Sequence, residues 1–572
     1  MDASVHTDIS LVLAGEAGQG LQTLEQLLLQ ILKRSGRHVY SYSEFMSRIR
    51  GGINSTEIRI SSRPVRSFRR RIDLFVPFHP GAFKHLQERI TPRTVILGDS
   101  GLIPGDYAAG GYVLLELPLA QLAKDAGGAI MLNMVVVGVM SALLNVERDL
   151  VRECTMQSLS QKSSERARTS VEAALNGYDA AHERQLPTRA ALPVIGQMDA
   201  VKNQLLMNGI DAVGMGALAG GCTFACAYPM SPSTGVLVFL ARQAARFGLA
   251  VEQVEDEISA VNMAIGAWYA GGRALVTTSG GGFALMVEAL SLAGMVESPL
   301  VIHVGQRPGP ATGLPTRTEQ GDLDFALYAG HGEFPRAILA PGTVEEGFAL
   351  VRHAFDLADS CQVPVLILTD QSYLESNLLV DDLDLSGPPV VHHIVQTESA
   401  YRRYAMTPDG ISPRGIPGFG AGVVCVDSDE HDESGHITES AAVRTAMMEK
   451  RMQKLSALVA ACRPPTLYGP ENYRCLIVGW GSTQAVVCEA MEAMGRDDIA
   501  FLHFSQVYPL HGSTAGMLLR AEKRIIIENN FSGQFARLIK QETGLDFHER
   551  ILKYDGLPFM LEDLISRLES IV

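Results

Sequence analysis

The stretch ALVTTSGGGFALMVEAL, residues 274–290, passes from an apolar run through three glycines to a second apolar run with helical spacing. Apolar runs that end in glycine and continue as helices are typical of parallel sheets covered by helices on both faces. Further runs of strand character occur at 223–228, 300–304 and 363–369. The alternation of strands and helices therefore predicts an α/β fold built on doubly wound parallel sheets.

The same pattern extends towards both ends of the chain. An apolar strand from Ile9 to Ala14 leads into the glycine loop GEAGQG (15–20) and a helix, and RCLIVGWGST (474–483) leads from a strand into another glycine turn. The polar, Pro-bearing segment 178–193 is typical of a linker. We predict domains at 1–185, 195–395 and 466–572, with a connecting loop and helix at 396–465.

The composition excludes several classes of protein. The 572 residues carry a net charge of -15, which argues against nucleic-acid binding because phosphates are met by clustered Lys and Arg. Eight cysteines without a paired Cys-x-x-Cys spacing indicate neither a zinc site nor an iron–sulfur cluster in this chain. The acidic loop DSDEHDESGH (427–436) lacks zinc-ligand spacing, so we expect no metal there.

The expected location is cytoplasmic. The N-terminus has neither a basic region nor a cleavage site of a secretory signal. Two uncharged stretches, 126–146 and 212–241, reach the length of a membrane span, but glycine, asparagine or proline interrupts each of them. We therefore expect them to be buried elements of a soluble protein.

The loop Gly15–Gly20 could hold a phosphate at a helix N-terminus or could be only a tight turn. Its G-x-x-G-x-G spacing differs from the dinucleotide fingerprint, although a nicotinamide-dependent oxidoreductase stays an alternative. A basic stretch follows, which could bind a polyanionic small molecule or form a solvated face. Its members are Arg48, Arg50, Arg59, Arg63, Arg66, Arg69, Arg70 and Arg71.

The chain resembles the α subunit of 2-oxoacid:ferredoxin oxidoreductases in the order of its blocks. The thiamine pyrimidine-binding domain of that family is matched by CAYPMSPSTG (226–235), VEDEISAVNMAIGA (254–267), TTSGGGFALMVEAL (277–290) and ESPLVIHVGQRPGPATGLPTRTEQGDL (297–323). The first 185 residues, with SRIRGGINSTEIRIS (47–61), resemble the γ subunit of the family fused in front. Later blocks also match, namely RRYAMTPDGISPRGIPG (402–418), SDEHDESGH (428–436), MEKRMQKL (448–455), WGSTQAV (480–486) and ENNFSGQ (528–534).

The resemblance implies the site residues. Glu257 is the acid expected to contact the pyrimidine N1′ of thiamine diphosphate, because such enzymes need a buried carboxylate there. The other residues implied in cofactor binding are Tyr228, Pro229, Ser279, Gly280 and Gly281. Substrate binding falls to Ser231, Arg307 and Arg317, since a 2-oxoacid carboxylate needs a fixed arginine. Two positions depart from the family: Ser231 replaces the usual Thr, and Gly235 a common Glu.

The resemblance also implies cofactors and partners. The Gly-Asp-Gly block that holds Mg²⁺ and the diphosphate is missing from the sequence, so a β subunit should carry that half-site together with a [4Fe-4S] cluster. CoA is the co-substrate, with Gly18, Gly20, Arg48 and Arg50 as candidate contacts, and ferredoxin takes the electrons. We expect a dimer of heterodimers acting on 2-oxoglutarate. The alternatives are a pyruvate or branched-chain 2-oxoacid enzyme, or a non-catalytic redox scaffold.

Overall fold

The computed structural model describes residues 8–47, 52–159, 164–190 and 192–572. The chain divides into two compact units. Unit 1 comprises Met1–Met207, Ser376–Asp382 and Met560–Leu564, and unit 2 comprises Asn208–Glu375, Leu383–Phe559 and Ile565–Val572.

Unit 1 is built on an eight-stranded mixed sheet with the strand order β6-β5-β4-β1-β3-β2-β14-β7. Its strands are β1 (Asp8–Glu16), β2 (His38–Glu44), β3 (Ile53–Ser61), β4 (Leu74–Pro77), β5 (Val95–Gly98), β6 (Val113–Glu116), β7 (Leu205–Met207) and β14 (Asn377–Val380). Its helices are α1 (Leu21–Arg34), α2 (Gly81–His85), α3 (Gly105–Ala109), α4 (Leu119–Asp125), α5 (Leu132–Leu143), α6 (Arg148–Ser158), α7 (Ser164–Glu183) and α8 (Leu186–Ala190). Short 3₁₀ helices lie at Ser100–Leu102, Ala129–Met131 and Asp199–Asn203.

Unit 2 contains a seven-stranded sheet, β18-β12-β13-β11-β10-β8-β9, and a five-stranded sheet, β15-β17-β16-β19-β20. Its strands are β8 (Phe224–Ala227), β9 (Ala250–Gln253), β10 (Ala274–Thr278), β11 (Leu300–Gln306), β12 (Ala337–Leu339), β13 (Pro364–Asp370), β15 (Thr466–Tyr468), β16 (Cys475–Trp480), β17 (Ile499–Phe504), β18 (Gln506–Tyr508), β19 (Lys523–Glu528) and β20 (Glu549–Leu552). Its helices are α9 (Gly209–Ala219), α10 (Thr234–Phe247), α11 (Glu257–Tyr269), α12 (Gly280–Met295), α13 (Leu323–Tyr328), α14 (Val344–Cys361), α15 (Gln371–Glu375), α16 (Ala441–Ala460), α17 (Thr483–Met494), α18 (Thr514–Arg520) and α19 (Gln534–Thr543). The last helix is α20 (Leu561–Glu569).

The α/β prediction is confirmed, and the strands predicted for the middle of the chain are present. The strand predicted at 274–278 is β10 itself, and those at 300–304 and 363–369 are β11 and β13. Two expectations differ from the structure. The supposed linker 178–193 is largely helical, in α7 and α8, because proline is tolerated in the first turn of a helix. The first sheet is mixed, since β3 pairs antiparallel with both β1 and β2.

The apolar stretch 126–146 contains α5, a buried helix in unit 1. Its backbone comes so close to α7 that a Cβ added at Gly138 would lie 1.7 Å from the carbonyl oxygen of Ala174. A glycine is therefore required for this helix contact. Within the described ranges, no single helix has the length and apolarity of a membrane span, although α4 and the segment Ala129–Leu143 meet that test as a pair bent by 117°.

A buried cluster of charges joins α16 to the seven-stranded sheet. Glu297, 1% exposed in its side chain, binds Lys450 Nζ at 2.8 Å and Lys454 Nζ at 2.5 Å, and its carbonyl accepts from Arg403 Nη2 at 2.7 Å. Burial alone raises the pKa of Glu297, but Lys454, Lys450 and Arg403 together lower it to about 2. The segment 396–465 is thus held to unit 2 by charges that have little access to water.

Replacing Glu297 by Gln should lower the free energy of unfolding of unit 2 by about 3–5 kcal/mol, because two buried ammonium groups lose their counter-ion. The stabilisation from Glu297 should be complete above its ordinary pKa of 4.5 and should vanish as the pH falls towards 2, the pKa in the folded state. The measurement is the urea midpoint of Glu297→Gln between pH 3 and 7.

The matched control is Asp149→Asn, which removes an exposed ion pair with Arg152 on α6. That substitution should change the free energy of unfolding obtained from the urea midpoint by less than about 1 kcal/mol, since surface pairs contribute little. Equal effects of the two substitutions would contradict the assigned role of Glu297.

Candidate functional site

Five neighbouring strands of the seven-stranded sheet, β13, β11, β10, β8 and β9, run parallel. Their carboxyl ends therefore meet at one edge of unit 2, which we call the carboxyl edge. Arg307 follows β11, Ser279 follows β10 and Tyr228 follows β8. Ligands of open α/β sheets bind in the crevice outside the carboxyl ends of the strands, so we expect a ligand site at the carboxyl edge.

Glu257 lies at this edge as the first residue of α11. The three acids at 255–257 lie in different surroundings. Glu255 is exposed, and Asp256 caps the helix by accepting from Ser259 N at 2.6 Å. Glu257 instead turns inward and is only 3% exposed. Among the residues that the structure describes, its Oε1 has no hydrogen-bond partner. Burying a carboxylate oxygen without a hydrogen-bond partner costs free energy, so Glu257 is a candidate to bind a ligand through this oxygen.

The glycine run after β10 makes room for two carboxylates. A Cβ added at Gly282 would lie 2.6 Å from Glu257 Oε1, and one added at Gly280 would lie 2.4 Å from Asp322 Oδ2. Burial raises the pKa of Asp322 to about 6, although Arg307 opposes the shift. The beginning of α12 is therefore flanked by two acids. The sequence provided no signal for Asp322 beyond its distance along the chain from Arg307.

Ser279 lies at the N-cap position of α12, but its side chain makes no capping hydrogen bond. Its side chain is fully buried, and its Oγ has no hydrogen-bond partner within the described part of the chain. Gly281, by contrast, has open surroundings, since a Cβ there would meet only the carbonyl oxygen of Ala311, at 3.8 Å. A second unsatisfied polar atom thus lies next to the glycine run.

The predicted turn after β8 is held by Arg307. The Ser231–Pro232 peptide is cis, and Arg307 Nη1 donates to the Ser231 carbonyl at 2.7 Å. Tyr228 and Ser231 are exposed, while Pro229 is half-buried. The structure thus brings Arg307 and the turn with the exposed Ser231 together at the carboxyl edge.

Arg317 lies farther along the same loop. It is half-buried, and Gly556 contacts it so closely that an added Cβ would lie 3.1 Å from Arg317 Cβ. At Gly235, where the family commonly has Glu, an added Cβ would lie 2.4 Å from Ile210 Cδ1, so a side chain there would require the Ile210 side chain to shift.

The glycine loop of unit 1 is fixed by Asn133, whose Nδ2 donates to the carbonyls of Gln19 and Gly20 at 2.8 and 3.2 Å. Gly18 is open, since no atom of the described residues lies within 4 Å of an added Cβ. Arg48 and Arg50 lie outside the described residues.

Several other arginines of the basic stretch are engaged in ion pairs, since Asp8 alone binds Arg59, Arg69 and Arg71. Their charge stabilises unit 1 and is compensated there.

The acidic loop 427–436 is held by ion pairs and stacking. Glu430 binds Arg444 and Arg451, and His431 stacks on Tyr404 with ring centroids 3.9 Å apart. Over the described ranges, no group of three or more His, Cys, Asp and Glu side chains is placed to hold a metal ion.

Comparisons with known proteins agree over the whole chain. Two family models match: "Pyruvate ferredoxin/flavodoxin oxidoreductase" at residues 10–180 and "Pyruvate flavodoxin/ferredoxin oxidoreductase, thiamine diP-bdg" at 215–450. The α subunit of a 2-oxoacid:ferredoxin oxidoreductase from a Sulfolobus species is 31% identical over 99% of this chain and 97% of its own length. A 2-oxoglutarate oxidoreductase subunit, KorA, from Mycobacterium tuberculosis is 25% identical over 96% of this chain and 89% of its own length.

A solved structure also matches from end to end. The 2-oxoglutarate:ferredoxin oxidoreductase of Magnetococcus marinus, determined with 2-oxoglutarate, coenzyme A and succinyl-CoA bound, has a TM-score of 0.91 at 30% identity and covers 99% of both chains. Sequence, family models and fold therefore lead to one conclusion. The chain belongs to the 2-oxoacid:ferredoxin oxidoreductase family and is an α subunit of that family.

Proposed function

We propose that the carboxyl edge of unit 2 binds the pyrimidine half of thiamine diphosphate in a 2-oxoglutarate:ferredoxin oxidoreductase. The assembled enzyme would convert 2-oxoglutarate and CoA into succinyl-CoA and carbon dioxide and pass two electrons, one at a time, to ferredoxin. The observation that carries the proposal is the buried Oε1 of Glu257, which has no partner among the described residues. The substrate and CoA of the Magnetococcus marinus enzyme support the choice of reaction.

The residues present fit the proposed cofactor. An aminopyrimidine ring offers a nitrogen to a carboxylate, and Glu257 and Ser279 are buried groups with atoms to satisfy. Gly281 has open space where a side chain would otherwise stand, so a flat ring can approach the backbone closely. When bound, thiamine diphosphate supplies the carbon nucleophile that attacks the 2-oxo group.

Glu257 would hold a proton between its carboxylate and the pyrimidine N1′. Its burial matters because a hydrogen bond to a carboxylate is stronger in a medium from which water is excluded. Gly282 supports this role, since its missing side chain leaves the space that the carboxylate occupies. The proton position at N1′ is therefore set by a residue fixed at the beginning of a helix.

Arg307 would bind the carboxylate next to the 2-oxo group. Its guanidinium is oriented by the Ser231 carbonyl, which leaves further N–H groups for a substrate. Arg317, on the same loop, would bind the second carboxylate of a dicarboxylic substrate. This division favours 2-oxoglutarate over pyruvate or a branched-chain 2-oxoacid.

A second polypeptide would complete the site. The sequence has no Gly-Asp-Gly block, so Mg²⁺, the diphosphate and the [4Fe-4S] cluster are assigned to a β subunit. Exposed apolar side chains border Glu257 and the glycine run, namely Tyr228 (40% exposed), Ile258 (50%) and Leu285 (51%), as expected where a partner binds. We expect a cytoplasmic dimer of such heterodimers. Gly18 and Gly20, with Arg48 and Arg50, remain the proposed CoA contacts.

Replacing Glu257 by Gln should lower acyl-CoA formation by the assembled enzyme at least about 100-fold, because the amide cannot hold the proton at N1′. The assay is 2-oxoglutarate- and CoA-dependent reduction of a one-electron dye. Glu255→Gln is the matched control, since Glu255 is exposed and two residues away, and it should retain activity. Full activity of a folded Glu257→Gln enzyme would defeat the proposed site.

Substitutions of Arg307 and Arg317 should differ in the substrates whose KM they raise. Arg307→Gln should raise KM about 10- to 100-fold for every 2-oxoacid, which corresponds to the loss of a charged hydrogen bond of about 1.5–3 kcal/mol. Arg317→Gln should raise KM by a similar factor for 2-oxoglutarate and leave KM for 2-oxobutyrate nearly unchanged. The measurement is KM for both substrates in both variants, and equal effects of Arg317→Gln on them would refute the assignment of Arg317.

A further inference from the structure

A cavity of about 320 Å³ lies at the opposite edge of the seven-stranded sheet, where the strands begin. It is lined by the last turns of α11 and α12, by Ser298 and Pro299 just before β11, and by parts of the segment 403–428. Since β11 has seven residues, the two edges are separated by roughly 20 Å. This cavity, which we call the amino-edge cavity, is therefore distinct from the site proposed for thiamine and 2-oxoacid.

The lining combines an apolar body with two arginines. Leu292, Val296, Ile265 and Tyr269 supply the apolar wall, and Arg403 and Arg414 supply the only cations of the described lining. One acid, Asp427, also lines the cavity, so the charged groups of the lining carry a net positive charge. Anions with an apolar body match such a surface.

Arg403 is the strongest sign of a missing ligand. Its side chain is buried, with 4% exposure of the residue, and Nη2 donates to the Glu297 carbonyl. Nη1 has no hydrogen-bond partner in the described part of the chain. The carboxylate of Glu297, on which the charge of Arg403 also acts, already binds Lys450 and Lys454, so three cations surround one carboxylate. The positive charge of Arg403 is thus incompletely balanced.

Arg414 adds a second donor. Its Nη2 binds Asp359 at 2.5 Å and its Nη1 donates to the Trp268 carbonyl at 3.0 Å, while Nε has no acceptor among the residues described. Asp359 is in turn shared with Arg273, at 3.5 Å. Two buried guanidinium groups with unused N–H donors therefore line one apolar cavity.

We propose that the amino-edge cavity binds a small monocarboxylate with an apolar body. Arg403 binds the carboxylate, assisted by Arg414, and Leu292, Val296 and Tyr269 contact the apolar part. A cavity of roughly 150 Å³ accommodates benzene, so this one accommodates a body of about a dozen non-hydrogen atoms. The proposed site is separate from the 2-oxoacid site at the carboxyl edge, so the proposal does not depend on which 2-oxoacid the enzyme uses.

The test uses 4-phenylbutyrate as the probe and 4-phenylbutanol as its uncharged counterpart, titrated calorimetrically into the full-length chain. We expect saturable binding of the acid with one site per chain, and at least 10-fold weaker binding of the alcohol. Arg403→Met should weaken binding of the acid at least 10-fold. Arg402→Gln, which removes an exposed neighbouring arginine paired with Glu433, should leave it unchanged.

A second variant is needed because Arg403→Met could lose the probe simply by failing to fold. Gly266 lines the cavity on α11, and no atom of the described part of the chain lies within 4 Å of an added Cβ, so Gly266→Leu should fill the cavity and favour the helix. This variant should lose the probe while its melting temperature is kept or raised. Arg307→Gln, which tests the 2-oxoacid site, should keep the probe. Undetectable binding to the unaltered chain, unaltered binding by Gly266→Leu or loss of the probe in Arg307→Gln would overturn the proposal.

Discussion

Parallel pairing of five adjacent strands is the constraint on which the site depends. Because β9, β8, β10, β11 and β13 run in one direction, the loops that follow these strands all lie at the same edge. Residues far apart in the sequence, such as Ser231 and Arg307, then come within hydrogen-bonding distance. An antiparallel strand in this position would send its following loop to the opposite edge and remove one wall of the crevice. Strand direction therefore decides where the candidate site residues lie before any side chain does.

Close approach of backbone to carboxylate is the second requirement. The beginning of α12 has Gly280 against Asp322 and Gly282 against Glu257, and both contacts are shorter than a Cβ would allow. A helix N-terminus favours nearby negative charge, which offsets part of the cost of burying two acids. The glycine run thus does more than bring the chain into a turn, because it lets two acids lie beside the first turn of one helix. Substituting either glycine would displace an acid rather than merely stiffen the loop.

Much of the fold followed from local pattern, and the rest depended on contacts that no local pattern records. The strand at 274–278 and the helix after it were predictable because apolar runs and glycines change over a few residues. Glu257 was identified by family resemblance, and its burial is seen only in the structure, since the same triplet would suit an exposed helix start. The pairing of Asp8 with Arg59 and Arg69, and of β14 with β2 of unit 1, joins residues separated by tens to hundreds of positions. The arginine stretch left open a polyanion site or a solvated face, and in the structure Arg59, Arg69 and Arg71 are paired with Asp8.

The two edges of the seven-stranded sheet illustrate one physical rule with opposite signs. At the carboxyl edge the unsatisfied atoms include oxygens of Glu257 and Asp322, whereas at the amino edge they are guanidinium nitrogens of Arg403 and Arg414. Each buried polar atom without a partner costs about 1–3 kcal/mol, which the fold sustains only because the surrounding packing holds the group in place. A group held in this way needs little reorganisation when its partner arrives. Unsatisfied acids at one end of the strands and unsatisfied arginines at the other end thus support both proposals, a ring nitrogen meeting Glu257 at the carboxyl edge and a carboxylate meeting Arg403 at the amino edge.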